Sequence, residues 1–175
     1  IKVIPTGNIG FGKAIESIST SESKVTVYGK QSDLDKLQYV PVNVDVDGLK
    51  EDRDYKLEIT KPSGVKSMSV NNITVSLKLG SATDKNIDNV NIDVRNLNDK
   101  YSVQGLSASD IKVTVTVKGV DSVLKQLTAE DITAYIDLKD YKTGEYEVPV
   151  SVEGSDARVQ YVSKTKKVQI KVVEK

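Results

Sequence analysis

Two stretches of this chain match one another, and that repeat constrains the fold more than any other feature. KVTVYGKQSDLDKLQYVPVNVDVDGLKEDRDYKLEI at 24–59 resembles VTVTVKGVDSVLKQLTAEDITAYIDLKDYKTGEYEVPV at 113–150. Aligned without gaps, Gly29 pairs with Gly119, Ser32 with Ser122, Leu34 with Leu124, Leu37 with Leu127, Val42 with Ile132, Val46 with Ile136 and Asp47 with Asp137. One inserted residue then aligns Tyr55 with Tyr146, Leu57 with Val148 and Ile59 with Val150. Such self-similarity predicts two modules of one design in tandem. The polar stretch LGSATDKN at 79–86 suits a short linker, which sets the modules at 1–83 and 84–175. Each is long enough to bury a modest core.

The modules read as mainly β. Apolar residues alternate with polar ones in short runs, the period of half-buried strands. The runs are Val25 and Val27; Val42, Val44 and Val46; Ile73, Val75, Leu77 and Leu79; and Val90, Ile92 and Val94. They continue with Val113, Val115 and Val117; Ile132, Ala134 and Ile136; Val148, Val150 and Val152; and Val168, Ile170 and Val172. Helical spacing is almost confined to QSDLDKL at 31–37 and DSVLKQL at 121–127, with Ser32 or Asp121–Ser122 as expected caps. The expectation is two tandem small β-rich repeats, each with one short helix. Aromatics make up only 5% of the chain, so Val, Ile and Leu must build the cores.

Composition removes several kinds of chemistry. Histidine, cysteine and tryptophan are absent, which excludes thiol catalysis, disulfides, thiolate zinc sites and histidine-based acid–base catalysis. Carboxylate, lysine and tyrosine chemistry stays open. The 25 basic residues balance 25 acidic ones, and 12 basic against 11 acidic fall within residues 1–85, so neither half carries a nucleic-acid or lipid footprint. There is no run of about eighteen apolar residues to form a membrane-spanning helix. A chain that opens IKVIPTG, with neither an initiating Met nor a signal peptide, reads as an excised segment whose targeting signals lie upstream.

Against that background GNIGFGKA at 7–14 stands out, because glycine, four residues, glycine, lysine is most of a phosphate-binding loop. A working loop needs a Ser or Thr after the lysine, a buried strand before it and a long helix behind it. Ala14 replaces the hydroxyl, Pro5 interrupts the strand, and AIESISTSES offers no long helix. The second repeat supplies a control. Aligning 3–19 to 91–107 pairs Asn8 with Asn96, Ile9 with Leu97, Ile15 with Val103 and Ile18 with Leu106. Gly7, Gly10 and Gly12 then fall opposite Arg95, Asn98 and Lys100, so the segment reads as a loop between two strands.

NVDVDGLKEDRD at 43–54 puts Asn43, Asp45, Asp47, Gly48, Glu51 and Asp54 at the spacing of a calcium loop. The closing ligand is Asp rather than Glu, Lys50 places a positive charge inside, and only Asp137 survives in the second repeat. Alternation of Val42, Val44 and Val46 predicts instead a solvated strand face ending in a turn. Tyr135, Tyr141 and Tyr146 could stack on a sugar or peptide, but rim packing around a small β core is the favoured reading. Glu130–Asp131 and Asp52–Asp54 read as exposed turn carboxylates, and the sequon Asn72-Ile73-Thr74 falls within a strand pattern.

The stretch VTVKGVDSVLKQLTAEDITAYIDLKDYKTGEYEVPVSV at 115–152 resembles the YbbR domain family. The likeness lies in a V-x-V-x-G strand, an S-x-L-x-x-L helix, an I-x-A-Y-I-D-L strand and a G-x-Y-x-V-P-V hairpin arm, in order. The first repeat is similar in VTVYG, SDLDKL and DYKLEI but lacks the A-Y-I-D-L and V-P-V pieces. The resemblance implies small, mainly β modules with crossing, swirled strands, in tandem outside the bacterial membrane behind an N-terminal transmembrane helix. The best-known members, of the CdaR type, regulate a membrane-bound diadenylate cyclase of the CdaA type and adjust cyclic di-AMP.

No catalytic, cofactor-binding or metal residue is carried over, because the family has no catalytic motif. The expected chain is a non-enzymatic, extracytoplasmic regulatory region, anchored through a helix outside this sequence. Its expected partners are the cyclase and an unknown envelope component, with no nucleic acid. The competing reading is a structural or adhesive β-repeat module of a bacterial surface protein.

Overall fold

The computed structural model describes residues 1–107 and 110–175 and divides into two compact units, Ile1–Ala82 and Thr83–Lys175. In unit 1 the elements are β1 (Lys2–Thr6), β2 (Lys13–Thr20), β3 (Val27–Gly29), α1 (Gln31–Leu34), β4 (Pro41–Asp45), β5 (Arg53–Glu58), β6 (Val65–Met68) and β7 (Asn72–Ser81). β7 lies between β2 and β5, antiparallel to both; β1 and β4 pair in parallel, and β3 and β6 pair antiparallel. The alternation in sequence explains which side chains enter the core. Val42 and Val44 of β4 point inward while Asn43 and Asp45 face solvent. They meet Ile73, Val75 and Leu77 of the central strand, joined by Val40, Val46 and Ile59. Burying each such side chain contributes about 1.5–3 kcal/mol.

Unit 2 comprises β8 (Thr83–Arg95), β9 (Tyr101–Gly105), β10 (Lys112–Gly119), α2 (Asp121–Leu124), a 3-10 turn (Ala129–Asp131), β11 (Ile132–Asp137), β12 (Gly144–Pro149), β13 (Ser151–Gly154), β14 (Gln160–Ser163) and β15 (Lys167–Glu174). β15 is flanked by β12 and β9, and the other strands run in the order β13-β11-β8-β10-β14. β8 changes partner along its length. Residues Thr83 to Asn91 pair antiparallel with β10, whereas Ile92 to Arg95 pair in parallel with β11. Near the crossover the register slips between Val113 and Val115, and Asn89 takes a positive φ of 62°. A bulge of this kind bends a strand enough to serve two partners. Ile136, Leu138, Val148, Val168, Ile170 and Val172 form one of its buried clusters.

The pairings correspond between units: β1–β4 with β8–β11, β2-β7-β5 with β9-β15-β12, and β3–β6 with β10–β14. Tyr55, opposite Val75, matches Tyr146, opposite Ile170, as the alignment expected. Elsewhere the structure corrects the gapless reading. Asp45 lies opposite Thr6 as Asp137 lies opposite Arg95, so Asp45, not Asp47, is the counterpart of Asp137. Val40 and Val44, rather than Val42 and Val46, therefore correspond to Ile132 and Ile136. Unit 2 gains two residues in its 3-10 turn before β11 and loses one in the following hairpin. Similarly Ile18 faces Leu77 as Val103 faces Val172, so Ile18, not Ile15, is the partner of Val103.

Other expectations also change. Lys30 and Val120 are the N-cap residues, without a side-chain cap, so Ser32, Asp121 and Ser122 lie inside the helices. The two units divide at Ala82 and Thr83, within the stretch 79–86, whose residues are strand on both sides of Ala82.

Candidate functional site

The glycine-rich loop at 7–12 joins β1 to β2 and is tied to the β4–β5 turn. Asn8 N–H donates to Asp47 Oδ1 at 3.1 Å, Gly48 N–H to Asn8 O at 2.7 Å, and Gly10 N–H to Leu49 O at 2.8 Å. These bonds use backbone donors that a phosphate cradle would need. Gly7 has φ +93° and Gly12 φ +75°, while a Cβ on Gly10 would lie 2.6 Å from Lys50 Cγ and 2.9 Å from Leu49 O. The glycines therefore serve a tight double loop. Gly7 follows β1 as Asn96 follows β8, and Asn96 is likewise left-handed at φ 59°, so Gly7 corresponds to Asn96 rather than Arg95. The turn bonds Lys13 N–H to Gly10 O and Tyr101 N–H to Asn98 O support the pairing of Gly10 with Asn98. Lys13 and Ala14 open β2, with Ala14 buried, and Phe11 at the tip is fully exposed.

Beside this loop is a shallow groove of about 470 Å³ that includes Asp45, Asp47, Glu51, Asp52, Arg53 and Tyr55. Its carboxylates have local work. Asp45 Oδ1 accepts from Asp47 N–H at 3.0 Å and Asp52 Oδ1 from Leu79 N–H at 2.8 Å. Asn43 and Asp45 stand on the outer face of β4 and Asp54 lies in β5, so the calcium-loop residues follow an extended strand and a turn. Among the described residues no three acidic side chains converge on a cation position.

In unit 2 Asn96 Nδ2 donates to Asp137 Oδ2 at 3.0 Å, while Lys139 N–H donates to Asp137 Oδ1 at 3.0 Å. Those bonds, led by that from Asn96, hold the Asp137 carboxyl below the usual range. Arg95 stacks 3.6 Å from the Tyr135 ring centre and binds Glu153 at 2.5 Å, an array that alternation could not reveal because β13 was not expected beside β11. Tyr141 and Tyr146 meet edge to face at 4.8 Å against the Leu138 cluster, as rim packing requires. Asp131 Oδ2 accepts from the Thr128 N–H and hydroxyl, closing the 3-10 turn. Asn72 is exposed at the start of β7, with Ile73 buried behind it.

Other shifted groups also move away from neutrality. Asp156 is lowered chiefly by its bond from the Arg158 side chain, and Asp110 chiefly by the Ser107 hydroxyl. Burial raises the Tyr161 phenol. A general acid or base at neutral pH needs the opposite direction of shift.

Two tandem β modules, with surface polar groups that serve turns and strand pairing, define the class by architecture. The sequence pattern of the family described as "YbbR-like protein" matches residues 1–77 and 87–172, and the chain belongs to that family. It is 32% identical over 154 residues to the "CdaA regulatory protein CdaR" of Bacillus subtilis (strain 168), covering 87% of this chain and 32% of the relative. The chain thus spans about a third of that relative's length. Among solved structures, a YbbR-like domain from Listeria monocytogenes is 29% identical, with a TM-score of 0.46 over 53% of this chain and 95% of that one. A YbbR-like protein from Streptococcus pneumoniae TIGR4 is 25% identical, with a TM-score of 0.45 over 54% of this chain and 48% of that one.

Proposed function

We propose that the chain is a non-enzymatic, extracytoplasmic part of a membrane-anchored regulator that acts on a CdaA-type diadenylate cyclase and modulates cyclic di-AMP synthesis. The observation that carries this reading is the match to a named CdaA regulatory protein across most of both units. In keeping with a non-enzymatic part, the carboxylates of Asp45, Asp47, Asp52 and Asp137 each accept a hydrogen bond that shapes a turn or strand edge. Regulation through such modules requires a cue with different affinities for two states of the assembly.

The test is co-expression of the full-length protein with its candidate cyclase, with and without residues 1–175, measuring complex formation and cyclic di-AMP together. The reading expects removal of the two units to change cyclic di-AMP under at least one envelope or osmotic condition. Unchanged levels under every condition reject it.

A further inference from the structure

The two units differ at one edge, and the difference identifies a strand-binding seat. In unit 2 β10 is paired on both sides, by β14 and by the first half of β8. Among the described residues, the equivalent β3 of unit 1 pairs with β6 alone. Their registers correspond: Val27 faces Met68 as Val117 faces Tyr161. One rung of the second ladder is already present. Ile1 N donates to Ser23 O at 3.1 Å, in the place where Val90 faces Val113. Ile1 therefore corresponds to Val90, and no described residue of unit 1 takes the place of Thr83–Asn89.

The side chains report the same difference. Val115 and Val117 are 0% exposed, and Leu124 and Leu127 are buried. Their counterparts Val25, Val27, Leu34 and Leu37 are all half-buried. A groove of about 240 Å³ runs between them, lined by Ile1, Lys24, Val25, Val27, Leu37 and Tyr39. In unit 2 Ile87 lies opposite Val115 and is buried. Lys85 Nζ donates to the Leu124 and Leu127 carbonyls at 3.0 and 3.2 Å, closing the end of α2. An edge with free backbone groups beside an apolar groove is a template for an added strand.

We propose that the β3 edge of unit 1 is the seat of a further β-strand, antiparallel to β3 and continuous with Ile1. The pattern of β8 specifies its chemistry: an apolar residue third before Ile1, in the role of Ile87, and a basic residue fifth before it, in the role of Lys85. The seated strand completes unit 1 as β8 completes unit 2.

The test copies TDKNIDN (83–89) in front of Ile1 of the 175-residue chain. A control graft carries proline in place of the copied isoleucine. The copied strand should slow amide exchange across residues 24–29 about tenfold or more relative to the control. Equal exchange in the two grafts overturns the proposal. Should the graft not fold, the peptide TDKNIDN added to the original chain should give saturable NMR shifts confined to residues 24–29 and 34–40, and no shift at millimolar peptide overturns it. If the original chain instead forms a concentration-dependent dimer with residues 24–29 already protected, a second copy fills the edge and the proposal fails.

Discussion

Gly7 and Gly12 both have positive φ, yet their surroundings differ. A Cβ at Gly7 would approach Asp47 Cβ to 2.8 Å, whereas at Gly12 it would meet nothing within 4 Å. Gly12→Ala should cost about 1 kcal/mol through backbone strain alone, and Gly7→Ala clearly more because the Asp47 turn must also move, as urea unfolding would measure. Asp156 allows a pH test. Its carboxyl is lowered in the fold, so the stability it contributes is present above its unfolded value and lost as pH falls through the folded one. Asp156→Asn should therefore lower stability at pH 7, with the two unfolding curves converging below about pH 4. The loop reading of GNIGFGKA came from Ala14, Pro5 and the repeat. That Asn96 shares Gly7's left-handed backbone was hidden, because asparagine takes that conformation only where its setting requires it.

Single elements show why alternation carries some information and loses the rest. Val42, Val44 and Val46 read correctly as an inward face because one side of β4 meets a core. The same pattern is blind to a two-residue slip, which returns every side chain to its own face. Hence the alignment paired Asp47 with Asp137 while the parallel register places Asp45 there. β8's change of partner was hidden too: only Val90, Ile92 and Val94 alternate, while Ile87 and Val90 stand three apart across the bulge, so the first half of the strand carries no period-two signal. β13 and β14 hold a testable contact: the Tyr161 ring occupies the space a side chain on Gly154 would need, and its hydroxyl donates to Asp156 O at 3.2 Å. The same hydroxyl accepts from Asp156 N–H at 3.2 Å, so Tyr161→Phe removes two hydrogen bonds and should cost about 1–3 kcal/mol by thermal unfolding. Gly154→Ala should cost more, because the ring itself must leave.

For the whole molecule, the Val44–Leu77 cluster contains only residues of unit 1 and the Leu138–Ile170 cluster only residues of unit 2. Leu77→Ala and Ile170→Ala should each cost about 2–5 kcal/mol. Native-state hydrogen exchange should show the loss in the amides of the mutated unit. Uniform acceleration across all 175 residues would instead mean that the units unfold together. Tandem organisation was legible because the glycines, leucines and tyrosines of each repeat keep their order.

The pairing of β2 with β7 sets Lys13 against Ser81 and Thr20 against Val75. A ribosome releases β2 long before β7, so an early strand waits for nearly the whole unit to be synthesised before its ladder can form. Local hairpins cannot substitute, because β1 also waits for β4. Contacts so distant in sequence slow folding and leave early strands open to mispairing. Nascent chains arrested before residue 72 should be protease-sensitive throughout 13–20, and those long enough to free β7 from the exit tunnel should become protected there in one step.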